Sequence, residues 1–281
     1  MVGIPLAFDL ALIWGPTLAS VLFSFTNWNG IGRITGQNFV GFKNYTTLFT
    51  SYLFFRPAVV HNLIWLGVLA FVATPVGMFF AVLLDREIRG TRIYQSIFYL
   101  PVVLPLVVVG FIWELQYGAT TGFINNFFGL VRSHHIIDWL GDSSINLVAA
   151  VVAASWRHVG YVMVLYLAGL KSVDPSLREA AKVDGANERQ TFFRVVFPVM
   201  APINVIIAVI TAIESLRAFD IAYIINRGKN GLELLSTLIV NNSISEASLV
   251  GFGSAIAVVL LVISLVPIVT FLVAVSRREQ A

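Results

Sequence analysis

The sequence predicts an all-α integral membrane protein with six spans and one polar helical hairpin folded between the fourth and the fifth. Three observations carry this. Of the 281 residues, 58% are hydrophobic and 12% charged, and mean hydropathy is +0.85; soluble domains carry about 25% charged residues because they must solvate a surface. Six continuous apolar runs each approach the roughly 20 residues a helix needs to cross the hydrocarbon core. Residues 171–202 then break the apolar pattern with charges, alanines and helix-capping residues.

The expected spans are about 4–26, 59–84, 93–115, 147–170, 200–222 and 249–275. Their unbroken apolar character excludes a membrane barrel, whose strands alternate residue by residue. The first run lacks a preceding basic residue and a small-residue cleavage site, so it reads as a retained helix, not a signal peptide. Its missing basic flank fits either an unusual natural start or a trimmed N-terminus. Pro16, Pro75, Pro101, Pro105 and Pro267 fall inside spans, where neighbouring helices can satisfy the freed carbonyls. With no cysteine, disulfides and thiolate-bound metals are excluded. The basic residues form no soluble cluster, so nucleic acid is not an expected partner.

Orientation follows from Lys and Arg near span ends. Arg86, Arg89 and Arg92 follow the second span, Lys171, Arg178, Lys182, Arg189 and Arg194 lie in the polar insert, and Arg277 and Arg278 close the chain. The opposite loops carry Arg33, Lys43, Arg56, Arg132, Arg227 and Lys229, spread over longer stretches. Both termini and the insert are therefore expected to be cytoplasmic.

Within the insert, Asp174-Pro175 is a helix start: a carboxylate at the N-cap and a proline in the first turn. Leu177, Ala180 and Ala181 are expected on one small-residue face, with Arg178, Glu179 and Lys182 beside it. Gly185 suits a C-terminal cap, and Asn187 with Gln190 forms a capping box that starts a second helix. Phe192, Val195 and Val196 give that helix an apolar face, and Pro198 leads back to the membrane. A helix lying on lipid headgroups would show a wide Leu/Phe/Trp face and excess basic charge; this one is alanine-rich and holds Glu179 and Asp184. Docking into a protein groove is the better reading.

The run Glu179-Ala180-Ala181, Asp184-Gly185-Ala186, Phe192, Val195, Pro198 and Pro202 resembles the "EAA" loop of permease subunits in binding-protein-dependent ABC importers. It departs at Phe197, where that family usually has leucine. Ser24-Phe25-Thr26-Asn27-Trp28, then Phe39-Val40-Gly41-Phe42 and Asn44-Tyr45, resemble the first external segment of the maltose-type (MalF-like) sugar-permease branch. Phe219-Asp220 and Gly251-Phe252-Gly253-Ser254-Ala255 add to the likeness. The family's Gly-Gly-Pro after span five is replaced by Arg227-Gly228-Lys229-Asn230-Gly231.

The resemblance implies a type I, MetI-like, six-span permease domain over 1–281, with 171–199 as a coupling loop seated on a cytoplasmic ATPase. Glu179, Ala180, Ala181, Asp184, Gly185 and Ala186 are the implied coupling residues, with Glu179 facing an ATPase arginine. The implied partners are a second, non-identical permease, two ATPase subunits and an external solute-binding protein carrying a disaccharide or oligosaccharide, in a bacterial or archaeal cytoplasmic membrane. The chain has no phosphate-binding loop, so it is expected not to be an enzyme and to hold no cofactor; ATP and magnesium belong to the ATPase.

Intramembrane charges are costly and usually face the interior. Arg157, Glu214, Arg217 and Asp220 are therefore the candidate pathway or gating residues. Glu214 and Arg217, three apart, are spaced to pair along one helix face; Glu114 and Asp220, near span boundaries, read first as interfacial charges. His134 and His135 read as surface loop, and His61 shows no partner. The competing functions are an ion-coupled transporter, which calls for inverted repeats and broken helices, a membrane scaffold, and an ABC permease for polyols or glycerol-phosphate-type solutes.

Overall fold

The structure, a computed structural model, describes residues 3–86, 89–245 and 248–279, with side chains described except at 267, 268 and 271–279. Arg277, Arg278 and Pro267 thus lie outside the described side chains. Among the described residues the chain is helical, with no strand beyond one isolated bridge, Thr26 to Phe39.

Helix α1, Gly3–Phe23, has 21 residues, is predominantly apolar apart from Asp9, Thr17 and Ser20, and buries none of its most apolar stretch within the chain. A short α2, Lys43–Thr50, precedes α3, Phe55–Asp85, which runs 31 residues. Helices α4 (Thr91–Val103) and α5 (Leu106–Tyr117) meet at 101°; a short α6, Phe123–Phe127, follows. The axis of the bundle is α7, Asn146–Ser172, with 27 residues. Then come α8 (Pro175–Val183), α9 (Glu188–Val199), α10 (Ala201–Leu216), α11 (Asp220–Asn226), α12 (Leu235–Val240) and α13 (Val250–Glu279).

By length and composition α1, α3 and α7 are each able to cross a membrane, and two bent pairs pass the same test jointly. The expected runs at 93–115 and 200–222 are each interrupted by a sharp bend or break. Pro105 causes the first break: a residue before proline is pushed out of the helical region, and Leu104 is extended, with ψ at 138°. The second expected run begins on a 75° bend at Met200, and α10 stops at Leu216 before α11 restarts at Asp220.

Other prolines pass without a break. Pro16, Pro75 and Pro198 each stand two residues beyond a π turn, at Leu10–Trp14, Leu69–Ala73 and Phe192–Val196. Proline lacks a donor and crowds the carbonyl four residues back; one wider turn accommodates both defects and lets the helix continue.

Two apolar clusters lie along the α3–α7 pair. One gathers Trp65, Leu69, Val109, Leu147, Ala150, Ile221 and Leu234. The other gathers Ala81, Leu84, Met163, Tyr166, Leu170, Val196 and Ile207 near the hairpin. At the far end the two halves of the segment after α1 clasp each other: Val40 N–H donates to the Phe25 carbonyl at 2.8 Å, and Asn44 Nδ2 donates to the carbonyls of Ser24 and Thr26 at 2.8 and 2.7 Å. Helix α13 joins them through Gly251 N–H to the Trp28 carbonyl at 2.9 Å.

The α3–α7 contact depends on Gly77. A Cβ there would lie 2.8 Å from the Val159 carbonyl and 3.0 Å from Val162, forcing the helices apart. Overpacking of this kind costs about 1–3 kcal/mol. Gly77→Val should lower the thermal unfolding midpoint in detergent, while Gly67→Val, at a glycine with open space around it, should change it little; equal shifts in the two variants would contradict the packing described.

Candidate functional site

Between the two apolar clusters sits a group of polar side chains from three helices. On α7, Arg157 Nη1 lies 3.1 Å from Glu214 Oε1 of α10, and His158 Nδ1 lies 2.8 Å from Glu214 Oε2. The Glu214 carboxylate accepts from both, using one oxygen for each. The other nitrogen of His158 reaches Thr74 Oγ1 of α3 at 3.2 Å and Thr211 Oγ1 of α10 at 3.3 Å. His158 is thus a buried hub linking α3, α7 and α10. Adjacent positions on α7 deliver two donors to one acceptor, so the charge of Arg157 is matched within the bundle.

This group floors a cavity of about 230 Å³. Trp65, Leu69, Leu106 and Phe219 give it apolar walls, and Arg157, His158, Glu214, Arg217 and Asp220 line it as well. All four candidate pathway residues therefore meet at one cavity. The break between α10 and α11 makes this possible, because Phe219 and Asp220 turn in where a continuous helix would have carried them onward.

One expected pairing is corrected. Glu214 does not pair with Arg217: α10 ends at Leu216, Arg217 is its C-cap, and the regular i to i+3 geometry is lost there. Arg217 is exposed and, like Glu114 and Asp220, has no ion pair among the described residues.

The second assembly is the hairpin. Asp174 Oδ1 accepts from Ser176 N–H at 2.9 Å, capping α8, and this bond holds its carboxyl below the usual range. The contribution is therefore present above the ordinary aspartate range and is lost as pH falls through the depressed value. At the other end Ala186 N–H donates to the Ala181 carbonyl at 2.9 Å and Gly185 N–H to the Lys182 carbonyl at 3.0 Å, the bond pair of a Schellman motif. Gly185 has φ +80° with open space around it, so its backbone, not crowding, demands glycine. The Asn187–Gln190 capping box is present.

The exposed face differs from the expected one. Ala181, whose carbonyl accepts the Ala186 N–H, is buried. The outward surface is Leu177, Glu179, Ala180 and Val183, with Val183 87% exposed. Phe192 is half-buried and Val196 buried, while Phe193 is exposed. Several anchors were not anticipated. His61 Nδ1 lies 2.9 Å from the Glu233 carbonyl, and buried Asn62 bridges the Ser215 carbonyl at 3.1 Å and the Leu235 N–H at 3.0 Å. A buried asparagine in an apolar run was the available signal for the latter. His134 and His135 are exposed.

The chain is thus a bent bundle of apolar helices with a charged cavity and an exposed, capped hairpin, and its family places it among transport proteins. Residues 73–280 match the family described as the binding-protein-dependent transport system inner membrane component, and the chain belongs to that family. It is 32% identical to the xylose/arabinose import permease protein XacH of Haloferax volcanii over 94% of this chain and 83% of that one. It is 30% identical to the probable starch degradation products transport system permease protein AmyD of Thermoanaerobacterium thermosulfurigenes, covering 94% and 88%. A chain of the bacterial alginate ABC transporter, solved in complex with alginate pentasaccharide-bound periplasmic protein, shares the fold with TM-score 0.82, 21% identity and coverage of 96% and 91%.

Glu214→Gln leaves the Arg157 guanidinium without its carboxylate. Breaking a buried pair this way costs about 3–5 kcal/mol, less here because Glu214 keeps 30% of its side chain exposed. A marked fall in thermal midpoint is expected for Glu214→Gln and little change for Arg217→Gln; a larger fall in the latter would contradict the pairing.

Proposed function

We propose that this chain is the permease subunit of an ATP-driven sugar importer, forming half of a translocation pathway and coupling to a cytoplasmic ATPase through residues 171–199. The observation that carries the reading is the hairpin itself: two capped helices closed at Gly185, presenting Ala180 and Val183 ringed by Glu179, Lys182 and Asp184. An exposed valine on an alanine-rich helix suits a complementary protein groove better than headgroups. XacH and AmyD are named for pentose import and starch degradation products, which supports a sugar as cargo. The charge arrangement agrees: Arg157 and Arg217 are balanced by Glu214 and Asp220 around the cavity, so a neutral polyhydroxylated solute meets polar groups with no net formal charge among these four.

In this reading the hairpin end is cytoplasmic, and so are both termini. The loop side, with the clasped segment after α1, faces the solute-binding protein. A second, non-identical permease completes the pathway, and two ATPase subunits hold the ATP and magnesium. Docking of the loaded binding protein and ATP binding both favour the outward-open state, since a ligand shifts an equilibrium only through its differential affinity for the two states. The bent helices invite an ion-coupled mechanism instead, which also calls for inverted repeats, and the sequence shows no clear internal repeat.

The test starts from the cognate binding protein, whose sugar is found by thermal shift across a panel of pentoses, maltose and maltodextrins. Uptake of that sugar into vesicles holding the complete importer should require internal ATP and persist when the ion gradient is collapsed. Gly185→Val, which strains a left-handed residue by about 1–3 kcal/mol, and Glu179→Arg should both leave the purified chain folded and lower uptake. Undiminished uptake in both variants, or uptake that follows the ion gradient, would overturn the reading.

A further inference from the structure

Besides apolar packing, the hairpin is tied to the ends of two bundle helices by the forked guanidinium of Arg178. Arg178, on α8, donates from Nη1 to Asp85 Oδ2 at 2.8 Å and from Nη2 to the Leu170 carbonyl at 3.0 Å. Asp85 is the last residue of α3, and Leu170 lies in the last turn of α7. Each target is one that a helix end leaves wanting. The Leu170 carbonyl lies among the last four, which have no intrahelical donor. A carboxylate at a helix C-terminus opposes the macrodipole, so Asp85 gains from a cation. Arg178 is half-buried and Asp85 keeps 16% of its side chain exposed, so water screens the pair only in part.

The next residue along makes a second tie of opposite polarity. Arg86 Nη2 lies 2.7 Å from Glu188 Oε2 at the start of α9. Residues 85 and 86 thus hold both arms of the hairpin, acid to base on one and base to acid on the other. A slip of one residue would set like charges against each other. The Arg86–Glu188 pair is exposed on both sides, and such pairs contribute little on their own. The forked bond of Arg178 is the firm one, because a planar guanidinium can satisfy two acceptors at once where lysine cannot.

We infer that Arg178 is a positioning residue, a latch that makes the hairpin move as one body with α3 and α7. Both helices also hold the His158 hub, through Thr74 and through His158 itself. Displacement of the hairpin is thereby delivered to the floor of the cavity, some distance along the same two helices. The inference rests on the reading of 171–199 as the ATPase-coupling loop.

The experiment uses the complete importer in vesicles, with the chain carrying one reporter cysteine, Ala218→Cys, at the cavity. The chain has no native cysteine, so labelling of this chain by a membrane-impermeant maleimide, read on its own band after separation from the other subunits, reports that position alone. ATP with magnesium should change the labelling rate. In an Arg178→Gln background the ATPase subunits should remain bound while the ATP-dependent change falls by about fivefold or more, the scale of a lost coupling free energy. Arg178→Lys, which can hold Asp85 but not fork to Leu170, should fall in between, and the exchange Asp85→Arg with Arg178→Asp should recover part of the response. A full response in Arg178→Gln, or no recovery in the exchange, overturns the latch. So does loss of the ATPase subunits from Arg178→Gln, which would make the residue a folding element only. Failure of the reporter chain itself to bind ATPase subunits would instead sink the coupling-loop reading.

Discussion

The Glu214 carboxylate, shared between Arg157 and His158, is the interaction on which the arrangement of the bundle depends. An arginine in the middle of a membrane helix is admissible only if its charge is met inside the protein. Meeting it brings α10 against α7, and the second nitrogen of His158 then draws in α3 through Thr74. The cavity exists because these three helices are held at a polar floor instead of closing over an apolar one. With Glu214 engaged across the bundle, Arg217 and Asp220 are left to line the cavity above it.

Most of the α-helical frame was legible from composition and run length alone. The hairpin was legible almost residue by residue, because capping is local chemistry: Asp174, Gly185, Asn187 and Gln190 each act within a few residues of their own position. The failures have a common cause. Glu214 and Arg217 were spaced to pair on a continuous helix, but the helix ends between them, and the true partners lie 57 and 56 residues away in sequence. Ala181 was expected outside and is buried, since which side of a short helix faces the bundle is set by tertiary packing, not by local spacing. Pro105 bends the chain by 101° while Pro16, Pro75 and Pro198 do not, and only the three-dimensional context supplies the π turns that make the difference.

The two assemblies are mechanically continuous. α3 and α7 carry the polar hub at mid-length and end at the acceptors that Arg178 grips. Apolar packing of Leu84, Tyr166, Leu170, Val196 and Met200 fills the interval, and close-packed interiors transmit displacement because they have few voids to absorb it. Local capping chemistry thus shapes the exposed face of the hairpin, and non-local ion pairing joins the hairpin to helices that line the cavity.

The seat proposed for the ATPase is the exposed hairpin face. Site-specific photo-cross-linking tests it most directly, with a photoreactive residue placed singly at Ala180, at Val183, and at Phe42 beside the far-end clasp, in native membranes holding the whole importer. Ala180 and Val183 should cross-link to the ATPase subunit, and Phe42 should not. Adducts from Ala180 and Val183 to lipid alone, or an ATPase adduct from Phe42, would contradict the account.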